Sequence, residues 1–153
     1  MIVQRTGDAV SLQFTQATVQ VKPDHFVVND YSIDMPGEFD VAGVSFEVGE
    51  GFSVLNADGM RLLVVFQTHP ALSLEKISSV EDVELVVVYA EEDQKHRNDL
   101  ASIINDLEPR GIVVVGSAED TKALTGKTVE SASKAKISSS DLEGEERSVW
   151  SIA

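Results

Sequence analysis

Three histidines, His25, His69 and His96, are the side chains best suited to metal ligation or proton transfer here, and none has a His, Asp or Glu at a spacing that reads as a local metal motif. His69 follows an apolar run ending at Gln67, and His96 follows another ending at Ala90, so both are expected along one edge of a sheet. Ligands of α/β sheets sit outside the carboxyl ends of the strands. That edge would gather Gln67, Thr68, His69, Glu91, Glu92, His96, Gly116 and Ser117 into a candidate pocket. A His pair with acids beside it can hold Zn²⁺ or another cation weakly, while acids at a strand end also serve as N-caps for the following helix. The alternative to a pocket is a set of ordinary strand-end loops.

Other chemistries find less support. The absence of Cys removes disulfides, thiolate metal sites and a cysteine nucleophile together. Serines are plentiful, but no Gly-x-Ser-x-Gly elbow holds one, and none stands in a context that names a base. Gly126-Lys127-Thr128 is a fragment of a phosphate loop, yet Thr121 occupies the position five before Gly126, where the loop requires glycine. No basic patch is interleaved with aromatics, and Trp150 reads as a core or interface anchor.

The elements that would position these residues fall into two regimes. Residues 9 to 21 alternate apolar and polar side chains in two bouts, as a hairpin with one wet face does. Apolar runs at 26–30, 40–49 and 51–66 follow, the last interrupted by Asp58-Gly59, whose glycine supplies the positive φ of a tight turn. From residue 71 the rhythm becomes βαβ, with helices at 71–80 and 94–109 and strands at 84–90 and 111–116. Leu100, Ile103, Ile104 and Leu107 form one stripe at helical period, which Pro109 and Gly111 are expected to end. The two strands are near-continuous apolar runs, as strands buried on both faces are, and a right-handed crossover makes them neighbours. The remaining residues read as a short helix, a Ser-rich connection and a closing strand from Ser148 to Ile152.

The chain has 153 residues, 42% of them hydrophobic, which suits one domain over residues 1–153. Its 26 acids against 12 bases give a net charge of -14, dispersed rather than blocked, which favours solubility and opposes binding to nucleic acid or anionic membranes. The first residues lack a basic region followed by an apolar one, and no apolar run approaches the roughly 20 residues of a membrane span. A cytoplasmic location is expected.

One stretch is more particular than the rest. "PGEFDVAGV", residues 36–44, resembles an element of a bacterial and archaeal branch of the metallo-β-lactamase-fold hydrolases. Residues 57–90, "LASIINDLEPRGIVVVG" and "KISSSDLEGEERSVWSI" are similar to that family's later segments in the same order, so the resemblance covers residues 33 to 153. It implies an α+β fold, a trimmed metallo-β-lactamase-like αβ half-sandwich with antiparallel N-terminal strands followed by βαβ units.

The family's chemistry is metal-bound water made nucleophilic by ions held on imidazoles and carboxylates. Here the His-x-His-x-Asp-His loop has no counterpart, Gln67 stands where the bridging Asp is expected, and Val114-Val115-Gly116-Ser117 replaces the segment carrying the last His. A neutral amide does not substitute for a bridging carboxylate. The resemblance therefore implies a degenerate member without the family zinc site, with no catalytic residues and no cofactor. In it Pro36 and Gly37 make a turn between strands, Phe39, Val41 and Val44 are apolar anchors, Gly43 permits a bulge or close approach, and Glu38 has no assigned role. The expected function is a non-catalytic interaction or assembly protein with a protein partner or self-association. The alternatives are a divergent hydrolase with a relocated metal site around His69 and His96, and a small ligand held in the vestigial pocket without turnover.

Overall fold

The computed structural model describes residues 1–66, 74–90 and 93–153. Its first sheet begins with β1 (Ile2–Thr6), β2 (Ala9–Gln13), β3 (Thr18–Val21), β4 (Phe26–Val28) and β5 (Tyr31–Ile33), an antiparallel meander. The chain then crosses to a second sheet and forms β6 (Gly37–Val41), β7 (Val44–Val48), β8 (Phe52–Ala57) and β9 (Met60–Val65), again antiparallel. Three of these hairpins close through two residues that both have positive φ: Asn29-Asp30, Ala42-Gly43 and Asp58-Gly59. Such turns match the right-handed twist of the strands they join, and Asn, Asp and Gly tolerate the left-handed region best.

After β9 the second sheet becomes parallel. It continues through α1 (Leu74–Ser78), β10 (Leu85–Tyr89), α2 (Gln94–Leu107), β11 (Gly111–Val115) and α3 (Ala118–Thr125). The chain then lays down β12 (Ser131–Ala132), β13 (Lys134–Lys136) and, after a single 3-10 turn, β14 (Ser148–Ile152). The second sheet runs β12-β14-β11-β10-β9-β8-β7-β6, and the first runs β13-β1-β2-β3-β4-β5.

Strand alternation sorts the apolar side chains into two cores. Leu85, Val87 and Tyr89 of β10, with Val113 and Val115 of β11, face the first sheet. Val86, Val88, Ile112 and Val114 face the helices, where Leu100, Ile103 and Ile104 of α2 cover them. Among the described residues the layers are sheet, sheet, helix, and the outer face of the first sheet carries no helix. The α+β class and the antiparallel-then-βαβ order expected from the sequence are what the structure has.

Two expectations are corrected. Glu108, at φ 48° and ψ 51°, takes the left-handed C-cap of α2 and donates its N–H to Ile104 O at 3.1 Å; the helix ends before Pro109. Gly111 is not part of the turn but the first residue of β11, where a Cβ would lie 2.7–2.9 Å from Leu142, Leu85 and Trp150. Its role is to let side chains close over the strand. The Ser-rich connection is also more ordered than its composition suggests, since Ser131–Ala132 pairs with β14 and Lys134–Lys136 pairs with β1.

Candidate functional site

The parallel strands β9, β10, β11 and β14 bring their carboxyl ends to one edge. Ala90 N–H donates to Val115 O and Gly116 N–H to Ile152 O, both at 2.9 Å, so the ladder is closed to its last residue. Gln67, Thr68, His69, Glu91 and Glu92 lie outside the described residues. His96, Gly116 and Ser117 are described, and the structure places all three at or just beyond this edge.

Ser117 is the N-cap of α3: its Oγ accepts from Asp120 N–H at 3.1 Å, and Asp120 Oδ2 accepts from Ser117 N–H at 3.2 Å. Both polar side chains are thereby committed to the amides that a helix start leaves without partners. Gly116 contributes no side chain, and a Cβ there would meet Ala90 Cβ at 2.6 Å. His96 sits half-buried in the first turn of α2. The cap of that helix is Asp93, whose Oδ1 accepts from Lys95 N–H at 2.8 Å and His96 N–H at 3.2 Å. The donated amides of His96 and then Lys95 hold the Asp93 carboxyl below the usual aspartate range. Among the described residues, no three His, Cys, Asp or Glu side chains gather in a way that could hold a metal ion.

A cavity of about 430 Å³ opens at the same end, where Phe66 leaves β9 and the chain crosses from β5 to β6. Its apolar wall is Ile33, Met35, Pro36, Val48 and Phe66, and Asp24, Asp34 and Glu50 also line it. Phe66 stacks against Phe26 in a tilted pair with centroids 4.8 Å apart, and Phe26 against Phe46 at 5.2 Å. This aromatic cluster fixes the floor. Asp24 is hydrogen-bonded to the neighbouring His25, Oδ1 to Nδ1 at 2.6 Å. Tyr89, near the end of β10, donates its hydroxyl to Val21 O at 2.9 Å and so joins the sheets. Burial pushes its pKa up to about 12, with Arg5 lowering and Asp8 raising it less. It is a tether between sheets, not a base.

Pro36 is exposed beside the cavity and Gly37 begins β6 at φ 145°. Glu38 is exposed and lies directly across from Glu47 of β7. Phe39 is half-buried against the inter-sheet core. Gly43, at φ 83°, is the second residue of the β6–β7 turn, and Gln16 from the β2–β3 turn packs against it. The β6–β7 register is unbroken from Gly37↔Val48 to Val41↔Val44, so Gly43 makes no bulge.

Sequence reasoning overlooked the cavity because its acids come from three separate turns with no linear signature. The Ser117-x-x-Asp120 spacing, in contrast, is a capping signal that the sequence does carry. No described helix is long and apolar enough to cross a membrane.

No family model matches the chain, and no curated protein matches it. A solved structure from Thermotoga maritima, described as that of a Zn-dependent hydrolase of the metallo-β-lactamase superfamily, is similar with a TM-score of 0.74. The likeness covers 99% of this chain and 98% of that one, at 13% identity. An alignment that runs nearly end to end at such low identity is a likeness of fold, and the fold of this chain is that of the metallo-β-lactamases.

Proposed function

We propose that this chain is a non-catalytic protein of the metallo-β-lactamase fold that holds no metal and works in the cytoplasm by binding a protein partner. One observation carries the reading: where the strand-end edge is described, Ser117 with Asp120 on α3 and Asp93 on α2 serve as helix caps, which leaves His96 as the one described imidazole there. Losing one of these caps to an ion would cost about 1 kcal/mol. The Zn-dependence in the description of the Thermotoga maritima protein belongs to that protein. The -14 charge disfavours nucleic acid and anionic membranes as partners.

Elemental analysis of protein purified without chelator or affinity metal tests this directly. The expected result is far below one equivalent of zinc, iron or manganese. One or two equivalents that survive dialysis, and that are lost in a His69→Ala, His96→Ala variant, would replace this reading with a hydrolase whose metal site has moved.

A further inference from the structure

Among the described residues the two sheets leave four strand edges open, and they differ in how they are protected. The β5 edge is three residues long and β12 two, while β13 is Lys-Ala-Lys. Short edges and lysines are the usual guards against unwanted pairing. The fourth, β6, has five residues, no lysine, no proline within it and no bulge.

Its backbone phase follows from the hairpin. Val41 and Val44 flank a two-residue turn and form a hydrogen-bonded pair, so Phe39 and Gly37 also turn their amides toward β7. The N–H and C=O groups of Glu38 and Asp40 therefore point away from the sheet. The same two residues are exposed and acidic. A second β6 approaching this edge would bring like charges opposite each other, which is unfavourable; a strand with lysine or arginine at alternate positions would bring opposite charges.

The amino end of β6 runs into the 430 Å³ cavity, through Pro36 and through Val48, the partner of Gly37. Met35, 60% exposed, lines the cavity. Asp24, Asp34 and Glu50 line the cavity. Edge and cavity thus share one side of the molecule, where the cavity residues are acidic, apolar or glycine and Lys76 of α1 is the basic residue that lines a neighbouring groove with Glu38.

We propose that β6 receives an extended segment of a partner protein as a ninth strand of the second sheet, a segment in which lysine or arginine alternates with aliphatic residues. This rests on the binding role above and names where and what. The backbone of Glu38 and Asp40 supplies the main-chain hydrogen bonds and their carboxylates select basic side chains on the outer face. The cavity takes an apolar residue where the segment passes Gly37. Main-chain pairing for affinity with pockets for selectivity is how strand addition works in general. Five residues of β6 span about 17 Å, so a segment of about seven residues covers both edge and cavity.

The test uses the full chain, isotope-labelled for amide NMR, and a seven-residue peptide alternating lysine and valine. Two control peptides accompany it, one with glutamate for lysine and one methylated on alternate backbone nitrogens, which keeps the charge but blocks pairing. Expected are shifts concentrated at residues 37–41, and binding weakened about tenfold or more by either control and by Glu38→Lys, Asp40→Lys. The variant's folding is read from its melting transition and from Trp150 fluorescence. Equal affinity for the methylated peptide would reduce the effect to unspecific charge attraction and overturn the proposal. So would shifts that spare the β6 amides, or self-association of the chain abolished by Lys134→Glu, Lys136→Glu, which would make a second copy the occupant. Peptide failure with no metal found sinks this inference alone, whereas bound metal sinks the reading beneath it.

Discussion

Replacing Gly116 by alanine separates two accounts of the strand-end edge. Gly116 has no positive φ, so its backbone accepts any residue. If its surroundings were open, as around a pocket kept clear for a ligand, alanine would stabilise the fold by ~0.4–1 kcal/mol by restricting the unfolded chain. The structure gives the opposite sign. The new Cβ would lie 2.6 Å from Ala90 Cβ and 3.3–3.4 Å from Asp120. Carbon atoms prefer ~3.5–4.0 Å, so β10 and β11 must part at their ends by about 1 Å. Overpacking of that kind costs ~1–3 kcal/mol, or roughly 2–12 °C in melting temperature for a chain of this length. Ala90→Gly alone should cost ~0.5–1 kcal/mol. The double variant removes the clash and should be more stable than additivity predicts by at least ~1 kcal/mol, beyond the usual ~0.5 kcal/mol scatter. Thermal and urea unfolding of all four proteins reads this. A stabilised Gly116→Ala, or a double variant that is merely additive, would refute the claim that strand packing dictates this glycine.

Two further outcomes follow from the tethers and caps. Tyr89→Phe should lose ~0.5–1.5 kcal/mol with the hydrogen bond to Val21 O. Because the folded pKa of Tyr89 is raised from 10.0 to about 12, the tyrosine's contribution is intact below pH 10 and fades as pH rises toward 12. Alkaline denaturation of the variant should therefore be shallower than that of the parent across that window, and a parallel pair of curves would count against it. Asp93 has a folded pKa below the ordinary aspartate value of 3.8, so its stabilisation is present above that value and lost as pH falls through the folded pKa. Asp93→Asn should flatten the acid limb of a stability-against-pH curve below about pH 4, and an unchanged acid limb would deny the cap its electrostatic part.

Local chemistry made much of this fold readable. Asp58-Gly59 marks a hairpin because few residues accept positive φ, and the stripe from Leu100 to Leu107 marks a helix because its period is fixed by geometry. Strands β5, β12 and β13 escaped because each has two or three residues, several of them polar, and exists only through the neighbour it pairs with. Glu108 escaped because the left-handed cap is ordinarily a glycine, and here a glutamate takes it just before buried Pro109. At the edge, Ser117 is legible as a strand-end residue, while its engagement with Asp120 depends on α3 starting there. The cavity was invisible, since Asp24, Asp34 and Glu50 meet only when two sheets end at the same level.

The short strands β12 and β13 place Ser131–Ala132 in one sheet and, after Ser133, Lys134–Lys136 in the other, where they pair with Ile2 to Gln4. A pairing between residues some 130 positions apart closes a very long loop, and long loops are slow to close. During synthesis β1 has no partner on its outer side until residue 136 has left the ribosome, so the nascent first sheet keeps an open, aggregation-prone flank for most of translation. The same late segment then adds one strand to each sheet, β12 to the second and β13 to the first. Folding of this chain should accordingly be limited by the arrival of β13, with the slow phase lengthened by substitutions at Ala135 or Ile137 and little altered by substitutions in the β8–β9 hairpin.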